Sequence, residues 1–130
     1  MSQTRQLAAI MFTDIVGYTA LMQRDEKKGI VTRNRHREIF NRITGKYKGK
    51  ILQYYGDGTL SIFGSAIDAV ECGIEMQLEF QKDPKVPVRI GIHTGDVVFS
   101  EDDIIGDGVN VASRVESLAI SGAVFISEKV

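Results

Sequence analysis

Two strand-like runs separated by only three residues constrain the fold of this chain more than any other feature. Residues 50–55 and 59–63 are rich in apolar, β-branched and aromatic side chains, and Gly56-Asp57-Gly58 lies between them. An Asp-Gly pair between two such runs is a strong signal for a β-hairpin. The sequence therefore predicts two antiparallel strands joined by a tight turn at this point.

Further strand-like and helical segments alternate on both sides of this hairpin. Short apolar runs with polar ends predict strands, and apolar residues three or four apart predict helices. Strands are expected at residues 7–13, 88–92, 96–99 and 123–126, with Gly95 turning the chain between the second and third of these. Helices are expected at 16–22, from 28 to about 44, at 65–81 and from 107 to about 119. This order predicts one α+β sandwich, with helices packed on a mainly antiparallel sheet.

Several side chains in the predicted helices are expected in the core. Cys72 and His36 lie within apolar helical patterns, which favours a buried thiol and a packed, hydrogen-bonded histidine. His93 is interpreted as a structural residue as well. In the 65–81 helix, Ser65 and Asp68 resemble a capping box. The apolar residues that recur at helical spacing there are Ile67, Val70, Ile74 and Leu78, and those expected to pack on the sheet from the 107–119 helix are Val111, Val115 and Leu118.

Length and composition limit the class of protein. The chain has 130 residues, 16 basic and 17 acidic side chains and a formal net charge of −1, which suits one domain and argues against a generally basic nucleic-acid binder. The longest apolar run, residues 7–12, is too short to span a membrane. No secretory leader is visible, and the single Cys72 cannot form an internal disulfide, so a cytoplasmic location is expected.

The charges are unevenly distributed along the chain. Residues 24–50 contain ten basic and three acidic side chains, whereas residues 96–107 contain five acidic and no basic ones. A solvated surface explains the basic stretch, which could alternatively help to attract an anionic ligand or an acidic partner surface.

Two aspartates lie at the ends of predicted strands. Asp14 closes the first strand and Asp57 lies in the hairpin turn. Ordinary turn chemistry explains each one taken singly. If the first strand lies beside the hairpin, the paired carboxylates suit Mg²⁺, which prefers oxygen ligands and keeps room for substrate phosphates. Gly17 and Thr19 then open a helix whose free amides could take phosphate oxygens.

An amide and a guanidinium lie four residues apart in the last predicted helix. Asn110 and Arg114 therefore share one helical face. Arginine suits phosphate geometry, but a pair on the polar face of a surface helix is an equal alternative.

Four motifs extend this interpretation: Phe12-Thr-Asp-Ile-Val-Gly-Tyr-Thr19, Gly56-Asp57, Arg89-Ile-Gly-Ile-His-Thr-Gly95 and Gly106-Asp-Gly-Val-Asn-Val-Ala-Ser-Arg114. Together they resemble the class III adenylate/guanylate cyclase catalytic domain. They follow that family's order, with similar spacing, over nearly the whole chain. Four matched motifs are far more specific than one pair of carboxylates.

The resemblance implies a role for each matched residue. Asp14 and Asp57 match the two aspartates that bind a pair of divalent ions, Mg²⁺ or Mn²⁺, and the backbone carbonyl of Ile15 would complete one of these sites. Asn110 matches the asparagine that orients the ribose. Arg114 matches the arginine that contacts the α-phosphate.

The resemblance also implies how the base is read and how subunits assemble. Asp103 and Gln53 match the two base-reading positions, although adenylate cyclases usually carry lysine where Gln53 stands. The implied fold is ferredoxin-like, and the implied assembly is a head-to-tail homodimer with shared sites. One subunit would supply Asp14 and Asp57, and the other Gln53, Asp103, Asn110 and Arg114.

Domains of this family normally run several tens of residues past the position of Val130. We therefore expect residues 1–130 to form a single cyclase homology domain without the family's C-terminal part, with any regulatory domains outside this chain. The predicted activity is formation of cyclic AMP and pyrophosphate from ATP. The alternative is a weak or inactive cyclase-like module for nucleotide binding or dimerisation. A diguanylate cyclase is disfavoured because its Gly-Gly-Asp/Glu-Glu-Phe signature does not occur.

Overall fold

The computed structural model describes residues 4–100, 103–105 and 107–128, with side chains at 7–98 and 107–128. Helices pack on both faces of a sheet in this part of the chain. The elements in chain order are β1 (Thr4–Ile15), α1 (Tyr18–Arg24), α2 (Glu26–Lys46), β2 (Lys50–Tyr54), β3 (Gly58–Phe63), α3 (Ala66–Phe80), β4 (Val88–Ser100), β5 (Asp103–Ile105), α4 (Asp107–Leu118) and β6 (Val124–Ile126).

The sheet has the strand order β2-β3-β1-β4-β5, and β6 pairs with β4 beside this path. The β4–β6 pair is parallel, and the other pairs are antiparallel. The predicted hairpin of β2 and β3 is confirmed, and so is the α+β class with a mainly antiparallel sheet. β1 lies in the middle, between β3 and β4, so the hairpin turn and the end of β1 are neighbours.

Alternation along β1 divides the core into two layers. Ala9 and Met11 pack with α2 and α3 on one face of the sheet. Ala8 and Ile10 pack with α4 on the other face. Because successive side chains of a strand point to opposite faces, each strand position is assigned to one layer. This division decides which polar side chains near the end of β1 can meet.

The expected turn at Gly95 does not occur. β4 is one continuous strand that includes Gly95, which pairs with Ala8 of β1. A Cβ atom at Gly95 would lie 3.1 Å from the Cα of Gly108 in α4. The glycine therefore permits close packing of a helix on the strand, and it does not reverse the chain. β5 also forms at Asp103–Ile105, where the sequence did not predict a strand.

The buried faces of two helices differ from expectation. In α4, the buried residues are Gly108, Ala112 and Glu116, and Leu118 is 75% exposed, so the prediction that Leu118 packs on the sheet is wrong. In α3, the apolar repeat is largely exposed, with Ile67 at 69%. The face of this helix that is buried instead consists of Ala69, Cys72, Gly73, Met76, Gln77 and Phe80.

The basic stretch is partly neutralised within the chain. Arg42 contacts Glu79 of α3 at 3.1 Å, and Lys46 contacts Glu75 at 2.9 Å. Arg35 donates hydrogen bonds to backbone carbonyls at and beyond the end of α3. These contacts favour a structural surface over an anion-attracting patch. Of the helices in the described ranges, none has the length and apolar content that a membrane crossing requires.

Candidate active site

The two predicted metal-binding aspartates lie on adjoining chain segments. In the β1–β3 ladder Asp14 pairs with Gly58, the residue that follows Asp57. The Ile15 amide donates a 2.8 Å hydrogen bond to the Asp57 carbonyl, which joins the end of β1 to the hairpin turn. Ile15 itself is buried. The expectation that the first strand lies beside the hairpin is therefore confirmed.

Asp14 lies on the α4 face of the sheet, because it follows the same alternation as Ala8 and Ile10. A cavity of about 380 Å³ opens there. Asn110 lines it together with Asp14 and Asp57, so one chain brings an amide of α4 beside both carboxylates. The lining residues are Phe12, Thr13, Asp14, Tyr55, Asp57, Gly58, Val109, Asn110, Ser113 and Glu116.

Arg89 holds the Asp14 carboxylate with two hydrogen bonds. Its Nε donates to Oδ1 at 3.0 Å and its Nη2 donates to Oδ2 at 2.5 Å. The two residues face each other across the β1–β4 ladder. A bidentate guanidinium–carboxylate pair of this kind fixes the orientation of the carboxylate. Arg89 belongs to one of the four motifs but was given no role there, because its pairing with Asp14 depends on the register of β1 and β4 and has no local sequence signal.

Glu116 of α4 is a third acidic group in this cluster. Its Oε2 lies 3.3 Å from the Arg89 Nε, in a geometry that makes no hydrogen bond. Burial, followed by the charge of Asp14, raises the pKa of Glu116 to about 7. Close packing of α4 on β4 places Glu116 beside Arg89. A Cβ atom on Gly91 of β4 would lie only 2.3 Å from the Glu116 amide nitrogen, so the absence of a side chain at Gly91 permits this approach. Sequence reasoning missed Glu116, since a buried glutamate has no signature in a helical pattern.

A buried polar chain lies beneath the site on the opposite face of the sheet. Thr13 Oγ1 lies 2.6 Å from Thr59 Oγ1 and 3.1 Å from His36 Nε2. This confirms the prediction of a packed, hydrogen-bonded His36. The contacts tie the residue before Asp14 to the strand that follows Asp57. They therefore fix the register of the two segments that carry the carboxylates.

An aromatic pair forms one side of the cavity. Phe12 and Tyr55 stack with their ring centroids 6.1 Å apart. Tyr55 is 39% exposed, so part of the ring remains free to contact a bound molecule.

The other predicted site residues lie at separate places. Gly17 is the N-cap of α1 with φ of 73°, and Thr19 is exposed in its first turn, as the expected helix opening requires. Arg114 is exposed on α4 and is not among the residues lining the cavity. Gln53 is exposed on the outer strand β2. Asp103 belongs to β5, at the other end of the strand order, and its side chain lies outside the described residues.

The donor set fits a hard divalent cation. Two carboxylates share the cavity with room for further oxygen ligands, which is the environment that Mg²⁺ accepts when it retains water or binds phosphates. Among the described side chains there is no group of three or more histidine, cysteine, aspartate or glutamate residues able to enclose a metal. An ion held by Asp14 and Asp57 would therefore complete its coordination with water and substrate oxygens.

Comparison of this chain with known proteins identifies the family to which it belongs. The model of the adenylate and guanylate cyclase catalytic domain matches residues 1–130. A putative adenylate cyclase 3 of Rhizobium meliloti is 40% identical over 95% of this chain, which spans only 22% of that relative's length. The crystal structure of an adenylate/guanylate cyclase/hydrolase from Silicibacter pomeroyi matches with a TM-score of 0.84 and 34% identity. The match covers 98% of this chain and 78% of that chain. The crystal structure of the adenylyl cyclase CyaB from P. aeruginosa matches with a TM-score of 0.82 and 29% identity. The match covers 98% of this chain and 80% of that chain. The chain belongs to the adenylate and guanylate cyclase catalytic domain family.

Proposed function

We propose that this domain is a nucleotidyl cyclase that converts ATP into cyclic AMP and pyrophosphate. The observation that supports this most is the meeting of Asp14, Asp57 and Asn110 at one cavity on the α4 face of the sheet. Family membership supports a cyclase, and the adenylate cyclase relative supports ATP. In this reaction the ribose 3′-hydroxyl attacks the α-phosphorus, the new P–O bond closes the ring, and pyrophosphate leaves.

Asp14 and Asp57 are the residues that would hold the divalent ions. When bound, such ions lower the pKa of the attacking hydroxyl and neutralise the charge of the triphosphate. The chain's contribution is to place two carboxylates where β1 ends beside the β2–β3 turn. The Ile15 carbonyl would be a further oxygen ligand. We propose two Mg²⁺ or Mn²⁺ ions per site, as the resemblance to class III cyclases implies.

Asn110 and Arg114 would act on the nucleotide. The Asn110 amide would orient the ribose. The Arg114 guanidinium would stabilise negative charge that develops on the α-phosphoryl oxygens. Gly17 and Thr19 at the start of α1 would contact the phosphates. Their exposure leaves all four residues accessible to a ligand.

We propose that the working unit is a homodimer with shared sites. The resemblance assigned Asn110 to the other subunit, but Asn110 lines the cavity of its own chain, so the sharing rests on Arg114, which is exposed on α4. Arg114 lies outside the cavity lined by its own chain's carboxylates, so a second subunit is the natural recipient of its guanidinium.

Metal binding and turnover of defined variants test the proposal. Asp14→Ala and Asp57→Ala should each abolish cyclic AMP formation and weaken Mn²⁺ binding in the presence of nucleotide, while thermal unfolding remains cooperative. Glu71→Ala, which removes an exposed carboxylate from α3, is the matched control and should behave like the parent. Unchanged metal affinity in both aspartate variants would contradict the assignment.

One observation favours the second candidate, a non-catalytic nucleotide-binding or dimerisation module. Arg89 engages both oxygens of Asp14, so a metal ion must compete with a guanidinium for this ligand. Nucleotide binding that is insensitive to Mn²⁺ and yields no cyclic product would support the module.

A further inference from the structure

Arg89 lies between two carboxylates that come from different elements. Asp14 of β1 accepts two of its hydrogen bonds, and Glu116 of α4 lies 3.3 Å from the same Nε. The Asp14 and Glu116 side chains are 19% and 10% exposed. One guanidinium therefore serves two largely buried acidic groups, and Asp57 adds further negative charge nearby.

A divalent ion at Asp14 and Asp57 would compete with this arrangement. Arg89 donates to both oxygens of Asp14, so an ion at Asp14 competes with the guanidinium for them and favours its release. A released guanidinium in a partly buried site needs another acceptor, because an unpaired buried charge is strongly unfavourable. Glu116 offers that acceptor without a large movement, since its Oε2 is buried and accepts no hydrogen bond.

The position of Glu116 is fixed by the backbone and not by its own charge. Glu116 packs directly on Gly91 of β4, two residues from Arg89 on the same face of the strand. The Arg89 Nη1 also donates to the Ser117 carbonyl at 3.4 Å, which keeps the guanidinium beside the same turn of α4. The Glu116 carboxyl group therefore stays next to Arg89 whether or not Asp14 is engaged.

We infer that Glu116 is a positioning residue that receives the Arg89 guanidinium when Asp14 turns to a divalent ion, and so sets the metal affinity of the site. This inference rests on the proposed function, because it assumes that Asp14 and Asp57 bind the ion. It assigns to Glu116 and Arg89 a joint role that is distinct from holding the metal. The two residues exchange one ion pair for another, so the site keeps its charges paired in both states.

A double-mutant cycle on Mn²⁺ affinity tests the inference. Mn²⁺ alone is titrated into the 130-residue chain, and the free ion is measured by electron paramagnetic resonance. Glu116→Gln keeps the shape of the side chain but removes the acceptor charge, and should weaken binding about tenfold. Arg89→Met removes the competing guanidinium and should strengthen binding. Adding Glu116→Gln to Arg89→Met should then change the affinity less than twofold, because no guanidinium remains to be received.

Further variants separate this role from others. Glu116→Asp keeps the charge and should retain more affinity than Glu116→Gln, and Glu71→Gln on the other face of the sheet should match the parent. Thermal unfolding of each variant confirms that it is folded, and Arg89→Gln, which is also uncharged, replaces Arg89→Met if the latter is not. An equal loss from Glu116→Gln in both backgrounds, or no loss, would overturn the inference, since a general charge effect needs no Arg89. If Asp57→Ala binds Mn²⁺ as the parent does, the proposed metal site itself fails.

Discussion

At the scale of single residues, His36 shows how burial controls protonation. The side chain is 1% exposed, stacks on Phe80 with ring centroids 5.4 Å apart and bonds to Thr13. Burial, with a smaller contribution from the charge of Arg37, lowers the pKa of His36 from 6.5 to about 4. The folded protein therefore keeps a neutral imidazole at pH values where the unfolded chain already binds a proton.

This difference predicts a pH-dependent stability. Because the pKa is lower in the folded state, the contribution of His36 is fully present above pH 6.5 and is lost as the pH falls from 6.5 to about 4. The loss has an upper limit of about 3 kcal/mol. Urea unfolding at pH 7 and pH 4.5 measures it, and His36→Gln should reduce the difference between the two free energies. An unchanged difference in the variant would assign the pH dependence to other groups.

Gln53 carries the second prediction at this scale, the choice of base. An ionised Asp103 can only accept hydrogen bonds, so it suits the adenine amino group and opposes the guanine carbonyl. The Gln53 amide can donate or accept and therefore tolerates both bases. We expect a preference for ATP of about ten- to a hundredfold, since an unpaired buried polar group costs about 1–3 kcal/mol.

Substitution of Gln53 tests this reasoning in catalytically active protein. Gln53→Lys removes the acceptor and should sharpen the preference for ATP, chiefly by suppressing GTP turnover. The measurement is kcat/KM for both nucleotides in parent and variant. A parent that prefers GTP would show that Asp103 does not read the base in this way.

At the scale of elements, the contact of α4 with β4 depends on glycine. A Cβ atom at Gly91 would lie 2.3 Å from the Glu116 nitrogen and 2.4 Å from its Cα, and backbone atoms cannot yield as a flexible side chain can. Gly91→Ala should therefore displace α4 and lower the free energy of unfolding by about 1–3 kcal/mol, the usual cost of overpacking. Gly45→Ala in α2 is the matched control, since open space surrounds that position. Equal stability of the two variants in chemical denaturation would contradict this packing.

The elements also show what the sequence could and could not predict. The β2–β3 hairpin and Ser65 as the N-cap of α3 followed from local turn and capping chemistry. The adjacency of Asp14 and Asp57 was expected only on the condition that β1 lies beside the hairpin, as it does. The continuity of β4 did not, because a glycine that permits helix packing is indistinguishable in sequence from one that reverses the chain. The buried face of α3 was equally hidden, since Ala69 and Cys72 are weaker apolar signals than the exposed Ile67 and Leu78. The Arg89–Asp14 pair depends on strand register, which no local pattern fixes.

At the scale of the whole molecule, site sharing predicts complementation between inactive subunits. Asp57→Ala removes a metal ligand and Arg114→Ala removes a phosphate contact, and each homodimer should be inactive. Their heterodimer holds one site with both lesions and one with neither, so cyclic AMP formation should return on mixing. Two lesions on the same side of the site, Asp14→Ala with Asp57→Ala, are the control and should stay inactive. If subunits exchange and no activity returns in the first mixture, each chain builds its own site.

The central place of β1 in the sheet has a consequence for how the protein is made. β1 leaves the ribosome before both of its neighbours, β3 and β4. Asp14 and Arg89 are 75 residues apart, so their ion pair closes only after a long loop has been ordered. Contacts this distant in sequence slow folding. Until β4 emerges, the apolar residues of β1 remain exposed to other nascent chains, and the acidic end of the strand gains its cationic partner last.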